Sequence, residues 1–266
     1  MQVLSRKSAF SLVELSIVLV ILGLLTGGIL GGQSLIRAAE LRSVSTQYNQ
    51  WMTATQTFRD KYLALPGDMI NATAFWGDQA TGTAACSDGA VADGTPGTCN
   101  GNGDGTWGGG AGATAESLRA WQHLSLAGLV EGNYQGYLTG GTSMPVGTVV
   151  PRAKIGNNAG WEFLVRTTAG NVIYGYEGDI LLLGSESVMP GNLWNPVLRP
   201  EEVWNIDTKI DDGRPGLGVM LGGGDDVTCI TPNSLDYGPT SAANTNASYN
   251  LSNSNMSCRA WFKMRR

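Results

Sequence analysis

The sequence predicts an α+β protein in which one long N-terminal helix packs on an antiparallel sheet head. Three observations point there. No residue from Leu15 to Ile36 is charged. Beyond that run, Leu41, Val44, Tyr48, Trp51, Thr55, Phe58 and Tyr62 recur at alternating spacings of three and four, as they do on a helix with one buried face. From Trp161 the pattern changes to short apolar runs divided by short turns, as in a meander of antiparallel strands.

The uncharged run comes first. At about 1.5 Å per residue it forms a helix about 33 Å long, enough to cross a bilayer. Arg6 and Lys7 lie just before it and would hold that end on the cytoplasmic side. No small-x-small site followed by a polar start appears after Leu30, so an ordinary signal-peptide cut is not expected there. Glu14 sits near the start of the run, where an unpaired carboxylate in hydrocarbon costs a few kcal/mol. A plain signal anchor that tolerates Glu14 at the membrane interface is the alternative reading.

The segment Arg6-Lys7-Ser8-Ala9 followed by Phe10-Ser11-Leu12-Val13-Glu14 resembles the processing site of type IV pilins and type II secretion pseudopilins. The resemblance implies a leader over residues 1–9, a prepilin peptidase cut between Ala9 and Phe10, and methylation of the new Phe10 amine. It also implies a pilin-like α+β head, and retention of the apolar helix as the core of a filament. Implied partners are other pilin or pseudopilin subunits, the prepilin peptidase and an inner-membrane assembly platform. The implied location is the bacterial inner membrane, single-pass with a periplasmic head, and then a periplasmic or extracellular filament. A cationic amine on Phe10 could neutralise Glu14 of a neighbouring subunit in low dielectric and so set the axial register of assembly.

Within the run, Gly23, Gly27 and Gly31 fall at spacing four, as do Gly28 and Gly32, giving small-xxx-small faces that let helices approach closely. They also lower helix propensity, and glycine is common in membrane spans, so simple filling is the competing account. One helix is expected over 10–63, membrane-spanning to about residue 36. Arg42, Gln47, Asn49, Gln50, Arg59 and Asp60 would line its wet face. Pro66 ends it, because proline disfavours helix at the residue before it.

The head is expected over 64–266, long enough to bury a core. Net charge is −5 with 38 glycines and few charges, which fits a loop-rich exported protein and does not suggest nucleic-acid binding. Its junction Leu63-Ala64-Leu65-Pro66-Gly67-Asp68 and the stretch Glu116 to Gly132 resemble the heads of other prepilin-type proteins, as does Ile206 to Pro215. A Gly/Asp-rich insertion over 78–112 carries Cys86 and Cys99. Within it, Asn100-Gly101-Asn102-Gly103-Asp104-Gly105 imitates the first half of a calcium loop, with Asn100, Asn102 and Asp104 as candidate ligands. Ala111 stands where the loop's closing bidentate acid belongs, so a plain Asn/Gly turn competes.

A second helix is expected from Thr114 to Ala127, capped by Thr114 and stopped by Gly128. His123 within it is the single histidine, with no ligand-spaced cysteine or carboxylate, and reads as a packing or surface residue. Three strands follow, over 161–167, 172–176 and 180–183. A third helix is expected from Pro200 to Ile210, with Pro200, Glu201 and Glu202 in its first turn. Asp211 and Asp212 at its exit read as hydrogen-bonded to the turn, with a metal site as the minority alternative. A last strand is expected over 258–262.

Four cysteines allow three pairings. Cys86 with Cys99 and Cys229 with Cys258 are the expected ones, the second also implied by the pilin resemblance, as is export to an oxidising compartment. There is no Walker A motif, no G-x-S-x-G and no metal-spaced His/Cys set, so no enzyme is expected. The principal reading is a structural filament subunit. The rival is a minor tip pilin whose insertion and Ser/Asn-rich tail loop act as an adhesive or ligand-binding module.

Overall fold

The computed structural model describes residues 11–79, 97–108, 116–138, 144–156, 158–166, 176, 178–187, 191–224, 228–231 and 246–264. The chain divides into two units, Met1–Glu40 and Leu41–Arg266.

Helix α1 (Leu12–Tyr62) runs through the apolar run and the seam. In its first part the apolar side chains are exposed, Leu12 at 85% and Leu24 at 73% among them. It is long and apolar enough to cross a membrane, with a mean hydropathy of 2.4 over its most apolar window. Its hydroxyls return to their own helix: Thr26 donates to the Leu22 carbonyl at 2.9 Å and Ser34 to that of Gly31 at 2.9 Å. That keeps them satisfied where water is absent.

In the second unit the expected seam is the buried face. Val44, Tyr48, Trp51, Thr55 and Phe58 are buried, while Leu41 and Tyr62 pack half-buried against the same core. Gln47, expected on the wet face, is buried instead. Its Oε1 accepts the Lys154 N–H at 2.9 Å and the Trp161 Nε1–H at 3.3 Å, and its Nε2 donates to the Arg152 carbonyl at 3.3 Å. The helix ends as Leu63 turns into the left-handed region at φ 53° ahead of Pro66.

The remaining elements are α2 (Ala72–Trp76), α3 (Glu116–Leu126), β1 (Ala159–Arg166), β2 (Gly178–Ser185), α4 (Pro200–Ile210), β3 (Met220–Gly223), β4 (Ile230–Thr231), β5 (Ser248–Tyr249) and β6 (Arg259–Lys263). A four-stranded antiparallel sheet has the order β1-β2-β6-β3, and β4 pairs with β5. The architecture is α+β, as expected.

One feature of the sheet corrects the expected meander. Strands β1 and β2 pair directly, from Ala159 with Ser185 to Arg166 with Gly178, so the run 172–176 does not lie between them. Most of that run is outside the described residues. The expected last strand is present as β6, and it fills the centre of the sheet, with β2 on one side and β3 on the other. Strand β3 was not expected at all, being four residues long and half glycine.

Both faces of the sheet are covered. Phe163, Leu181, Phe262 and Met220 stand in register across the strands, and Phe262 stacks on Tyr48 of α1 with ring centroids 4.8 Å apart. Phe163 also stacks on Trp121 of α3 at 4.2 Å, and Trp121 meets Trp51 edge-on at 5.3 Å. The alternate row holds Glu162, Leu182, Trp261 and Leu221. It is covered by the segment before α4, where the Arg259 guanidinium lies 4.7 Å from the Trp194 ring centroid.

Candidate functional site

The helix start is capped by two of its own side chains. Ser11 Oγ accepts the Val13 N–H at 3.3 Å, while a Glu14 carboxylate oxygen accepts the Ser11 N–H at 2.9 Å. Two of the amides that a helix start leaves without partners are thus satisfied. The Glu14 carboxylate also favours the positive end of the helix dipole. Glu14 therefore has a role within its own chain before any neighbour is considered. Ala9 and Phe10, the expected processing residues, lie outside the described residues.

Open space surrounds the helix glycines. A Cβ placed on Gly23, Gly27, Gly28, Gly31 or Gly32 meets nothing within 4 Å. Nothing in the described chain requires glycine there, so the small faces are free for partners outside it.

A second assembly of polar residues lies in the head, where the Pro66–Met69 turn, the 100–106 loop and the start of α3 meet. Gly67 sits at φ +88°, and a Cβ on it would stand 2.1 Å from the Glu116 carbonyl oxygen; only glycine permits this approach. The loop then folds over Asp68, whose carboxylate accepts the Gly103 N–H at 2.6 Å, that of Asp104 at 3.1 Å and that of Gly105 at 2.8 Å. Trp107 Nε1 donates to the Pro66 carbonyl at 2.7 Å and anchors the loop's far end.

The three expected ligands divide. Asn100 turns its side-chain oxygen to the Thr73 N–H at 2.9 Å. The Asn102 oxygen accepts the Asp104 N–H at 2.9 Å. Asp104 gathers the Thr106 N–H at 2.8 Å and hydroxyl at 2.9 Å. Two acids outside the expected set stand beside Asp104: Asp68, and Glu116, whose Oε1 accepts the Asn102 N–H at 2.8 Å. Carboxylate oxygens of Asp68, Asp104 and Glu116 all lie within 4.8 Å of one another.

Burial pushes the Glu116 carboxyl up to about 7, with Asp68 and Asp104 adding to the rise against the opposing Asn102 hydrogen bond. Asp68 is also raised by burial, although its three amide donors oppose the shift. Ala111 stands twelfth from Asn100, where a contiguous calcium loop has its closing acid, whereas the third acid of this cluster, Glu116, lies in the first turn of α3.

At the exit of α4, Asp211 accepts the N–H groups of Val219 and Met220, and Asp212 accepts that of Arg214 at 2.9 Å. These acids are engaged with the turn. Buried Asp207 accepts the Tyr249 hydroxyl at 2.7 Å, and burial pushes it up to about 7, helped by Asp212 and Asp211.

Cys229 and Cys258 form a disulfide, with Cα atoms 5.2 Å apart. Cys99 is disulfide-bonded and buried. Cys86 lies outside the described residues.

No curated protein and no solved structure is significantly similar to the chain. The family model for the prokaryotic N-terminal methylation motif matches residues 4–30. The match covers the basic leader, the segment around Phe10 and Glu14, and most of the apolar run that opens α1. The chain thus carries, at its N-terminus, the signature of type IV pilin and pseudopilin precursors.

Proposed function

We propose that this protein is a structural subunit, cut between Ala9 and Phe10 by a prepilin peptidase and assembled through α1 into a type IV pilus or type II secretion pseudopilus. The observation that carries the reading is the N-terminal methylation motif over residues 4–30, set on a helix whose large apolar side chains from Leu12 to Ile36 are exposed among the described residues. Such a surface is stable in lipid and, after extraction, only against other apolar helices. The glycines with open space around them supply faces for close helix contact. The Phe10 amine and the Glu14 carboxylate of a neighbour supply the charge pair. The head remains on the periplasmic side of the inner membrane until the subunit is drawn into the filament.

Mass spectrometry of the mature protein tests the processing step: the expected N-terminus is a methylated Phe10, and a mature chain still starting at Met1 would refute it. Labelling the head and locating it along isolated filaments tests the role. A structural subunit decorates the whole length, whereas label confined to one end identifies a minor tip pilin.

A further inference from the structure

We propose that Asp68, Asp104 and Glu116 form a calcium site that ties the Pro66–Met69 turn and the 100–106 loop to the start of α3. The convergence of three acids is not the decisive observation, since exposed acids often cluster without a ligand. The decisive one is Glu116 itself. It is 6% exposed, its Oε1 is fixed by the Asn102 N–H of the loop, and its Oε2 is buried with no hydrogen-bond partner among the described residues. A buried carboxylate oxygen left in this state costs free energy comparable to a lost hydrogen bond or more. The two nearest carboxylates worsen that cost, and a cation held among them removes it.

The donor chemistry selects the ion. All candidate ligand atoms are carboxylate oxygens, with no imidazole or thiolate, which suits hard cations such as calcium over zinc or copper. Asp68 keeps accepting capacity after its three amide bonds, because a carboxylate offers about four lone-pair sites. Asp104 is exposed, and Asp68, Gly103 and Gly105 line an open groove with Gln56, Arg59 and Asp60, so an ion has a way in. The site differs from a contiguous calcium loop. The closing acid arrives from a helix, and Asn100 is committed to Thr73.

The test uses the full chain in detergent, stripped with EGTA and then titrated with calcium chloride or magnesium chloride, with thermal melting and calcium uptake as readouts. Calcium is expected to raise the melting midpoint, and Glu116→Gln and Asp104→Asn are each expected to weaken uptake tenfold or more. Glu116→Gln keeps an oxygen for the Asn102 N–H but removes a charge. In EGTA it should therefore melt at or above the wild type, and in calcium below it. This inversion is one that a purely structural glutamate does not produce. Melting unaffected by calcium, uptake undiminished in both variants, an equal response to magnesium, or Glu116→Gln melting lower under both conditions would each overturn the assignment.

Discussion

His123 Nδ1 accepts the Gly67 N–H at 2.9 Å, so the single histidine of the chain pins the turn after α1 to the middle of α3. On its other side Nε2 lies 2.9 Å from Thr98 Oγ1 and 3.3 Å from the Cys99 carbonyl. Thr98 gives its own hydroxyl proton to Gln122, which leaves Nε2 as the protonated nitrogen. A second proton on Nδ1 would face the Gly67 N–H.

The first prediction follows from this geometry. Burial pushes His123 down to about 4, with the Arg119 charge acting in the same direction and the Cys99 carbonyl against it. Between its ordinary value near 6.5 and about 4, the unfolded chain takes a proton that the folded chain refuses. Stability supplied by the neutral ring is therefore present above 6.5 and lost as pH falls through that window, by about 3 kcal/mol. Glu116 and Asp207, raised to about 7, act oppositely, since there the folded chain holds the extra proton and stability falls as pH rises toward 7. Comparing the wild type with His123→Gln isolates the histidine: the variant should be less stable at pH 7.5, and the gap should close toward pH 4. A gap that stays constant with pH would show that the ring does not titrate on unfolding.

The second prediction concerns Gln47. Gln47→Leu keeps an apolar body in the seam but strands the Lys154 N–H and the Trp161 Nε1–H. The expected loss is about 2–4 kcal/mol, as for buried donors left without acceptors. Denaturant unfolding of the full chain measures it, and a loss below about 0.5 kcal/mol would mean that water replaces the side chain.

The third separates two roles of Glu14. Within its own chain it accepts the Ser11 N–H at the helix start, a role glutamine performs equally well. In an assembled filament it would pair with a cationic Phe10 amine, which glutamine cannot do. Glu14→Ala and Glu14→Gln should both be cleaved and inserted, and both should fail to enter filaments. Normal incorporation of Glu14→Gln alongside failure of Glu14→Ala would assign the residue to helix initiation and not to charge pairing.

The fourth concerns Cys229–Cys258, which closes a span of 29 residues. Its removal in the double variant Cys229→Ser/Cys258→Ser should cost about 2–5 kcal/mol, read as a lower melting temperature. In reductant the wild type should drop at least as far, because the disulfide of Cys99 is reduced as well.

Much of this was legible because it depends on local period. The seam from Leu41 to Tyr62 repeats at helical spacing, and α4 begins at Pro200 with acids in its first turn, so both were found with their boundaries nearly in place. What failed depends on pairing between distant segments. Nothing near Gln47 in sequence announces that Lys154 and Trp161 will use its oxygen. Strand β3 escaped notice because Met220-Leu221-Gly222-Gly223 has no alternation, and Gly222 owes its place to Tyr249, whose ring a Cβ would meet at 2.4 Å. Glu116 looked like an ordinary first-turn acid, since Asp68 and Asp104 reach it only through the fold.

The central place of β6 bears on when the head can form. Strands β2 and β3 each pair with β6 and not with each other, so the four-stranded sheet stays open until a segment made long after β2 has joined it. Until then β2 offers an unpaired apolar edge, which is a template for mispairing. A chain that stops short of β6 therefore keeps its sheet open, however much of the head has already been made.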